Sequence, residues 1–192
     1  MNEDGRSRIK MDFAFRTANL KKDFPDELVE KVKNNNTFLY GKAGTGKTHL
    51  LAAIVNGTHS GCMTNEFVHN NAGEEIRGAH HPTLVDFGEL LIKLRGAYNK
   101  FGESEDSILE KVVCAKVLCL DDIGVDKPTD WNTSMLQNII NGRYKNGKRT
   151  HIASNFNLEE IAEMFGERIA SRIAGMCMSI EMAGKDRRLE NK

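Results

Sequence analysis

Proline is scarce, with three residues in a chain of 192, and no Ser/Gly-rich or Pro-rich tract marks a linker. There is no internal repeat and no low-complexity segment. One domain is therefore expected, and a chain of this length buries a core large enough to fold without staples. Cysteine is also sparse. Cys62, Cys114, Cys119 and Cys177 form no C-x-x-C pair and two of them lie within apolar runs, which suits buried thiols in a reducing compartment. No apolar run approaches the ~20 residues that span a bilayer, and residues 1–10 are polar and charged, so neither secretion nor a membrane partner is expected. The expected location is cytoplasmic. Net charge is missing as well: Lys plus Arg and Asp plus Glu each number 27. No global field attracts nucleic acid, and any such partner must be met by a local patch.

What is present is alternation. Apolar runs of strand length recur at Thr37–Tyr40, Thr83–Phe87, Val117–Leu120, His151–Ser154 and Met178–Met182. Amphipathic, helix-like stretches lie between them at Lys47–Val55, Gly88–Phe101, Ser104–Ala115, Trp131–Tyr144 and Leu158–Phe165. The alternation predicts an α/β fold, a parallel sheet covered by helices on both faces. Residues 1–35 read as an N-terminal arm and 36–192 as the domain. Gly57–His81, with several Gly, Asn and His residues and no sustained hydrophobic period, reads as an inserted loop. Its His59, Cys62, His69, His80 and His81 are of zinc-ligand type, but their spacing matches no standard zinc pattern and a solvated loop is expected.

Gly41-Lys-Ala-Gly-Thr-Gly-Lys-Thr48 matches G-x-x-x-x-G-K-[ST] in full, after a short apolar strand and before a helical stretch, the context a P-loop requires. Gly41, Gly44 and Gly46 let the backbone turn tightly and bring N–H groups onto phosphate oxygens, at the positive end of the following helix. Lys47 suits the β- and γ-phosphates of ATP, and the Thr48 hydroxyl suits the shell of a Mg²⁺ ion. Lys42, Ala43, Thr45 and the adjoining His49 complete the expected nucleotide-binding set.

Val117-Leu-Cys-Leu-Asp-Asp-Ile-Gly124 is an apolar strand ending in two carboxylates, a Walker B pattern. Asp121 would orient Mg²⁺ through its water shell, and Asp122 would polarise the attacking water. Two adjacent acids at a strand end also suit a plain turn. The strand running to Ser154 ends in Asn155, whose amide suits the γ-phosphate or the lytic water, although Asn after a strand is commonly a turn former.

The motifs taken together resemble the DnaC/DnaI-type helicase-loader ATPases of the AAA+ class. Those that carry the likeness are Gly41–Thr48, Leu120-Asp-Asp-Ile-Gly124, Ser154-Asn155, Glu167-Arg-Ile-Ala-Ser-Arg172 and Gly184-Lys-Asp-Arg-Arg188. The resemblance implies an AAA+ sheet, ATP hydrolysis, a replicative helicase and single-stranded DNA as partners, and a homo-oligomer on assembly; the C-terminal lid is expected to be reduced, a departure from the AAA+ pattern. It also implies that Arg172, with Arg168 as the alternative, reaches the γ-phosphate of a neighbouring subunit, and that Arg188 or Arg187 senses nucleotide within its own. A guanidinium supplied in trans ties hydrolysis to assembly, whereas helical spacing alone would pair Arg168 and Arg172 with Glu167 or Glu163 in salt bridges.

The family's N-terminal helicase-binding domain is expected to be absent or reduced to the arm, where Phe13 and Phe15 either dock on a partner or tuck under the core. Lys93, Arg95 and Lys100 are the candidate DNA contacts, a cluster that also suits a solvated basic face. Two other functions stay open. IstB-like transposition ATPases share the motifs, and a P-loop small-molecule kinase would pair the same loop with an acceptor site.

Overall fold

The computed structural model describes residues 15–59, 82–97, 104–184 and 186. Along the chain these form α1 (Leu20–Asp23), α2 (Asp26–Asn34), β1 (Thr37–Tyr40), α3 (Lys47–His59), β2 (Thr83–Asp86), α4 (Phe87–Ala97) and α5 (Glu105–Cys114). They continue with β3 (Val117–Ile123), α6 (Asp130–Lys145), β4 (Arg149–Ser154), α7 (Leu158–Phe165), α8 (Glu167–Met176) and β5 (Met178–Glu181).

The five strands form one sheet in the order β2-β3-β4-β1-β5 with every pairing parallel, as the strand–helix alternation required. The pleat sends successive residues to opposite faces. On one side Phe38, Leu118, Leu120 and Ile152 meet buried residues of α4, α5, α6, α7 and α8. On the other, Leu39, Cys119 and Ala153 pack with Leu50, Leu51, Ala52 and Ile54 of α3 and with Val29 and Val32 of α2. The three described cysteines, Cys114, Cys119 and Cys177, are buried free thiols in this packing. Among the described residues no helix is long and apolar enough to cross a membrane.

Four elements go beyond the sequence reading. The arm holds α1, started by the Asn19 side chain accepting from the Lys21 and Lys22 amides, and α2, whose inward face is little more than Val29 and Val32. Those two apolar positions in a charged stretch give a weak periodic signal. Helix α3 runs on through Gly57 to His59, into the segment expected to be loop, and the Thr58 hydroxyl donates to the Ile54 and Val55 carbonyls there. Helix α8, read from sequence only for its arginines, is set off from α7 by Gly166 at φ 93, a conformation glycine tolerates at little cost. The remaining zinc-type residues of the insertion, Cys62, His69, His80 and His81, lie outside the described residues, as do Phe13 and Lys100 and the side chain of His59.

Arg143 joins the layers at the end of the sheet remote from the phosphate loop. Its side chain is fully buried on α6. Nη1 donates to the carbonyls of Val112 (3.0 Å), Val113 (2.9 Å) and Ala115 (3.0 Å), Nε donates to the Thr150 hydroxyl at 2.8 Å, and Nη2 donates to the Arg149 carbonyl. Five acceptors satisfy the guanidinium, although burial lowers its pKa to about 10. Arg143→Leu would leave those carbonyls without a donor, each at about 1–3 kcal/mol. The variant is expected to lose at least ~3 kcal/mol in urea unfolding; a loss below about 1 kcal/mol would show that water or backbone takes over the acceptors.

Candidate nucleotide-binding site

The site lies at the carboxyl ends of β1, β4 and β3. Tyr40 ends β1 and the chain passes through Gly41, Gly44 and Gly46, at φ 138, 80 and 95, into α3. These left-handed conformations explain why glycine stands at all three positions. Thr45 is buried and its hydroxyl donates to the Lys42 carbonyl at 2.9 Å, closing the loop on itself. Lys42 and Ala43 are exposed at its tip.

Lys47 is only 5% exposed. Its ammonium donates to the Gly41 carbonyl at 2.7 Å, the Lys42 carbonyl at 2.9 Å and Asn155 Oδ1 at 2.9 Å. The last bond joins the phosphate loop to the residue after β4. Because β4 lies between β1 and β3 in the sheet, Asn155 sits between the loop and the acidic pair.

Asp121 and Asp122 belong to β3 itself, which is longer than expected and carries an irregularity in its pairing with β4 between Leu120 and Ile123. There Asp122 adopts φ 55, the one described non-glycine residue with positive φ. Such a conformation is uncommon outside glycine, though Asp tolerates it better than most residues. The turn is held from the β4 side. The Ser154 hydroxyl donates to the Ile123 carbonyl at 2.7 Å, the Phe156 amide donates to the Ser154 hydroxyl at 3.1 Å, and Gly124 lies so close to the Phe156 ring that a Cβ would come within 2.9 Å of it.

Asp121 is 4% exposed and hydrogen-bonds the Thr48 side chain, while one of its oxygens accepts from the Asp122 amide at 3.0 Å. Burial, with the nearby charges of Asp122 and Asp86, pushes its pKa up to about 6, against the opposing effect of those hydrogen bonds. Thr48 and Asp121 thus place a hydroxyl and a carboxylate together at the mouth of the loop. Hard oxygen donors of this number fit Mg²⁺, which binds through one or two protein groups and completes its shell with water and phosphate.

Asp86 was not singled out in the sequence. It lies opposite Asp121 in the β2–β3 register, and its Oδ1 accepts from the Glu89 amide at 2.8 Å, starting α4. The available signal was an acid ending a strand directly before a helix. His49 follows the loop on α3, but its Nε2 lies 2.8 Å from Asp23 Oδ2 and its ring lies near Phe15 and Phe24. With Asn56 donating to the Phe15, Arg16 and Ala18 carbonyls, it holds the arm against α3. Phe15 therefore tucks against the core.

Arg168 and Arg172 both lie on α8, one turn apart. Arg168 is exposed; Arg172 is half-buried, and its Nη1 is enclosed with no hydrogen-bond partner among the described residues. Arg187 and Arg188 lie outside the described residues. On α4, Lys93 is exposed, whereas the Arg95 guanidinium stacks 4.7 Å from the centroid of the Trp131 ring and donates to Asn132 Oδ1 at 3.2 Å.

A parallel five-stranded sheet flanked by helices, with this loop beside β1, defines the fold of AAA+ P-loop ATPases. Among solved structures it is similar to the DnaC helicase loader (TM-score 0.69, 23% identity, 89% of this chain and 99% of that one). It is likewise similar to DnaI (TM-score 0.71, 21% identity, 93% and 95%) and to AMPPCP-bound DnaA from Aquifex aeolicus (TM-score 0.67, 20% identity, 92% and 54%). In sequence the chain resembles the DnaC/DnaI helicase loaders. It is 25% identical to the replicative helicase loader DnaC of Escherichia coli K12 over 149 residues, 77% of this chain and 54% of that protein. It is 27% identical to the replicative helicase loader DnaI of Bacillus subtilis over 179 residues, 86% and 51%. The chain thus spans about half the length of the curated relatives it matches. No protein-family model matches it.

The raised pKa of Asp121 has a measurable effect on stability. Between about pH 4 and pH 6 the native state holds a proton that the unfolded chain has released, so stability falls as pH rises through that window. Asp121→Asn removes the penalty and is expected to be more stable than the parent at pH 7.5, on the order of 2 kcal/mol, with the gap closing toward pH 4. Urea unfolding across pH 4–8 checks this, and a gap independent of pH would refute it.

Proposed function

We propose that this chain is an ATP-dependent helicase loader of the DnaC/DnaI kind, a Mg²⁺-dependent ATPase that acts on a replicative helicase and single-stranded DNA. The observation that carries the reading is the Lys47–Asn155 hydrogen bond, because it joins the phosphate loop to the residue that follows the neighbouring strand. The helicase partner is supported by the relatives named replicative helicase loader, and single-stranded DNA by the DnaA neighbour solved with AMPPCP and single-stranded DNA.

In this reading the loop amides and Lys47 hold the β- and γ-phosphates, exchanging the present oxygen partners of the ammonium for phosphate oxygens. Thr48 and, through its water shell, Asp121 would hold Mg²⁺, which would supply charge neutralisation at those phosphates. Asp122 polarises the attacking water, Asn155 orients it or the γ-phosphate, and Arg172 stabilises developing charge in the site of a neighbouring subunit. Arg168 is the alternative finger, and Arg188 or Arg187 senses nucleotide in its own subunit. Hydrolysis then switches affinity for helicase and DNA between two states. The Arg95–Trp131 pair offers a cation and an aromatic ring together, a combination that suits single-stranded nucleic acid, and Lys93 is a further exposed cation on the same helix.

The test is ATP hydrolysis against protein concentration, with and without single-stranded DNA, with Lys47→Ala as the blank. Turnover per subunit is expected to rise with concentration and again with DNA. Turnover independent of both, or seen only with a small phosphate acceptor, would favour a kinase and overturn the loader reading. Arg172→Ala should retain ATP binding yet lose turnover by ~10³ if it is the trans finger; unchanged turnover at all concentrations would remove that role.

A further inference from the structure

The phosphate loop is touched from the chain beyond β5 by a carboxylate that the proposed chemistry does not use. Strand β5 lies at the sheet edge beside β1, and pairing continues past its end, where the Met182 amide donates to the Tyr40 carbonyl at 2.7 Å. Beyond it the chain reaches the loop twice. A Cβ on Gly41 would lie 2.6 Å from the Met182 carbonyl oxygen, and a Cβ on Gly44 would lie 2.0 Å from Asp186 Oδ1 and 2.1 Å from its Cγ. Both glycines thus admit a close approach from the C-terminal segment as well as the turns of the loop. Gly184, at φ 141, gives the backbone between these contacts a conformation that an L side chain rarely adopts, and a Cβ there would meet nothing within 4 Å among the described residues.

The chemistry of the second contact is specific. Gly44 belongs to a loop whose successive positive-φ turns make a concavity suited to anions, and the group lying against it is a carboxylate. The geometry points to Asp186 as a tethered competitor of nucleotide: its carboxylate and a nucleoside polyphosphate are alternative occupants of the Gly44 side of the loop. Like charges so close repel, so phosphate binding turns the Asp186 carboxylate away from the loop. Displacement is local, because β5 pairs with a single neighbouring strand and the rest of the sheet keeps its hydrogen bonds. Tethering gives the carboxylate an effective concentration that a free anion would match only at about millimolar levels. Apparent nucleotide affinity then falls by the fraction of molecules whose loop is uncovered.

This inference rests on the loop binding nucleotide, and its test separates the two. Binding of a fluorescent ATP analogue is measured for the full chain, for Asp186→Asn, for Gly184→Ala and for Lys47→Ala. Asp186→Asn keeps the shape and removes the charge, and Gly184→Ala strains the turn that delivers the carboxylate. Both are expected to bind more tightly than the parent, by roughly tenfold if nine-tenths of the parent is covered. Binding by Asp186→Asn that equals or falls below the parent's, with Lys47→Ala silent, overturns the competitor and leaves the nucleotide site standing. Absence of binding in the parent and in all variants overturns both.

Discussion

A charged amine buried to 5% exposure must be surrounded by oxygen, and the site is organised around meeting that requirement at Lys47. Two of its partners are carbonyls of its own loop, reachable because the glycines curl the backbone back over the ammonium. The third, Asn155, comes from 108 residues further along the chain. That bond exists only if the end of β4 lies next to the end of β1. The position of one ammonium therefore depends on strand order, and strand order depends on which apolar faces the helices cover.

The same dependence runs through the acidic pair. Asp121 is buried because β3 is an interior strand, between β2 and β4, with helices over both faces, and it keeps a workable environment through the Thr48 hydroxyl and the Asp122 amide. Asp122 is turned out of the regular strand by the irregularity beside it, and the carbonyl of Ile123 is fastened to Ser154. Adjacent residues of like charge thus acquire different surroundings, one dry and hydrogen-bonded, the other half-exposed on a left-handed backbone. Such separation of environments is how two carboxylates come to serve different tasks.

Around this centre the described part of the arm and the residues just after β5 are built into the domain. The arm is fastened to α3 through Asn56 and the His49–Asp23 contact, and the segment after β5 lies on the phosphate loop itself. The likeness to DnaC and DnaI in solved structures covers most of the chain, whereas the sequence match to the curated loaders takes in about half of their length. What is common is the parallel sheet with its phosphate loop.

By itself the sequence determined the alternation of strands and helices, the phosphate loop and the acidic strand end, because each is a local pattern: a period, a run of glycines, a spacing to Lys47 and Thr48. Arm helices α1 and α2 were not legible, since two valines in a charged stretch make little periodic signal. Nor were the pairing of Asp86 with Asp121 in the β2–β3 register and the contact of His49 with Asp23, made where the arm lies over α3. Only the tertiary structure decided that β4 enters between β1 and β3, that Asn155 meets Lys47, and that Asp186 reaches Gly44. These are contacts between residues distant in sequence, fixed by how apolar faces share a core, and no local pattern in the chain encodes them.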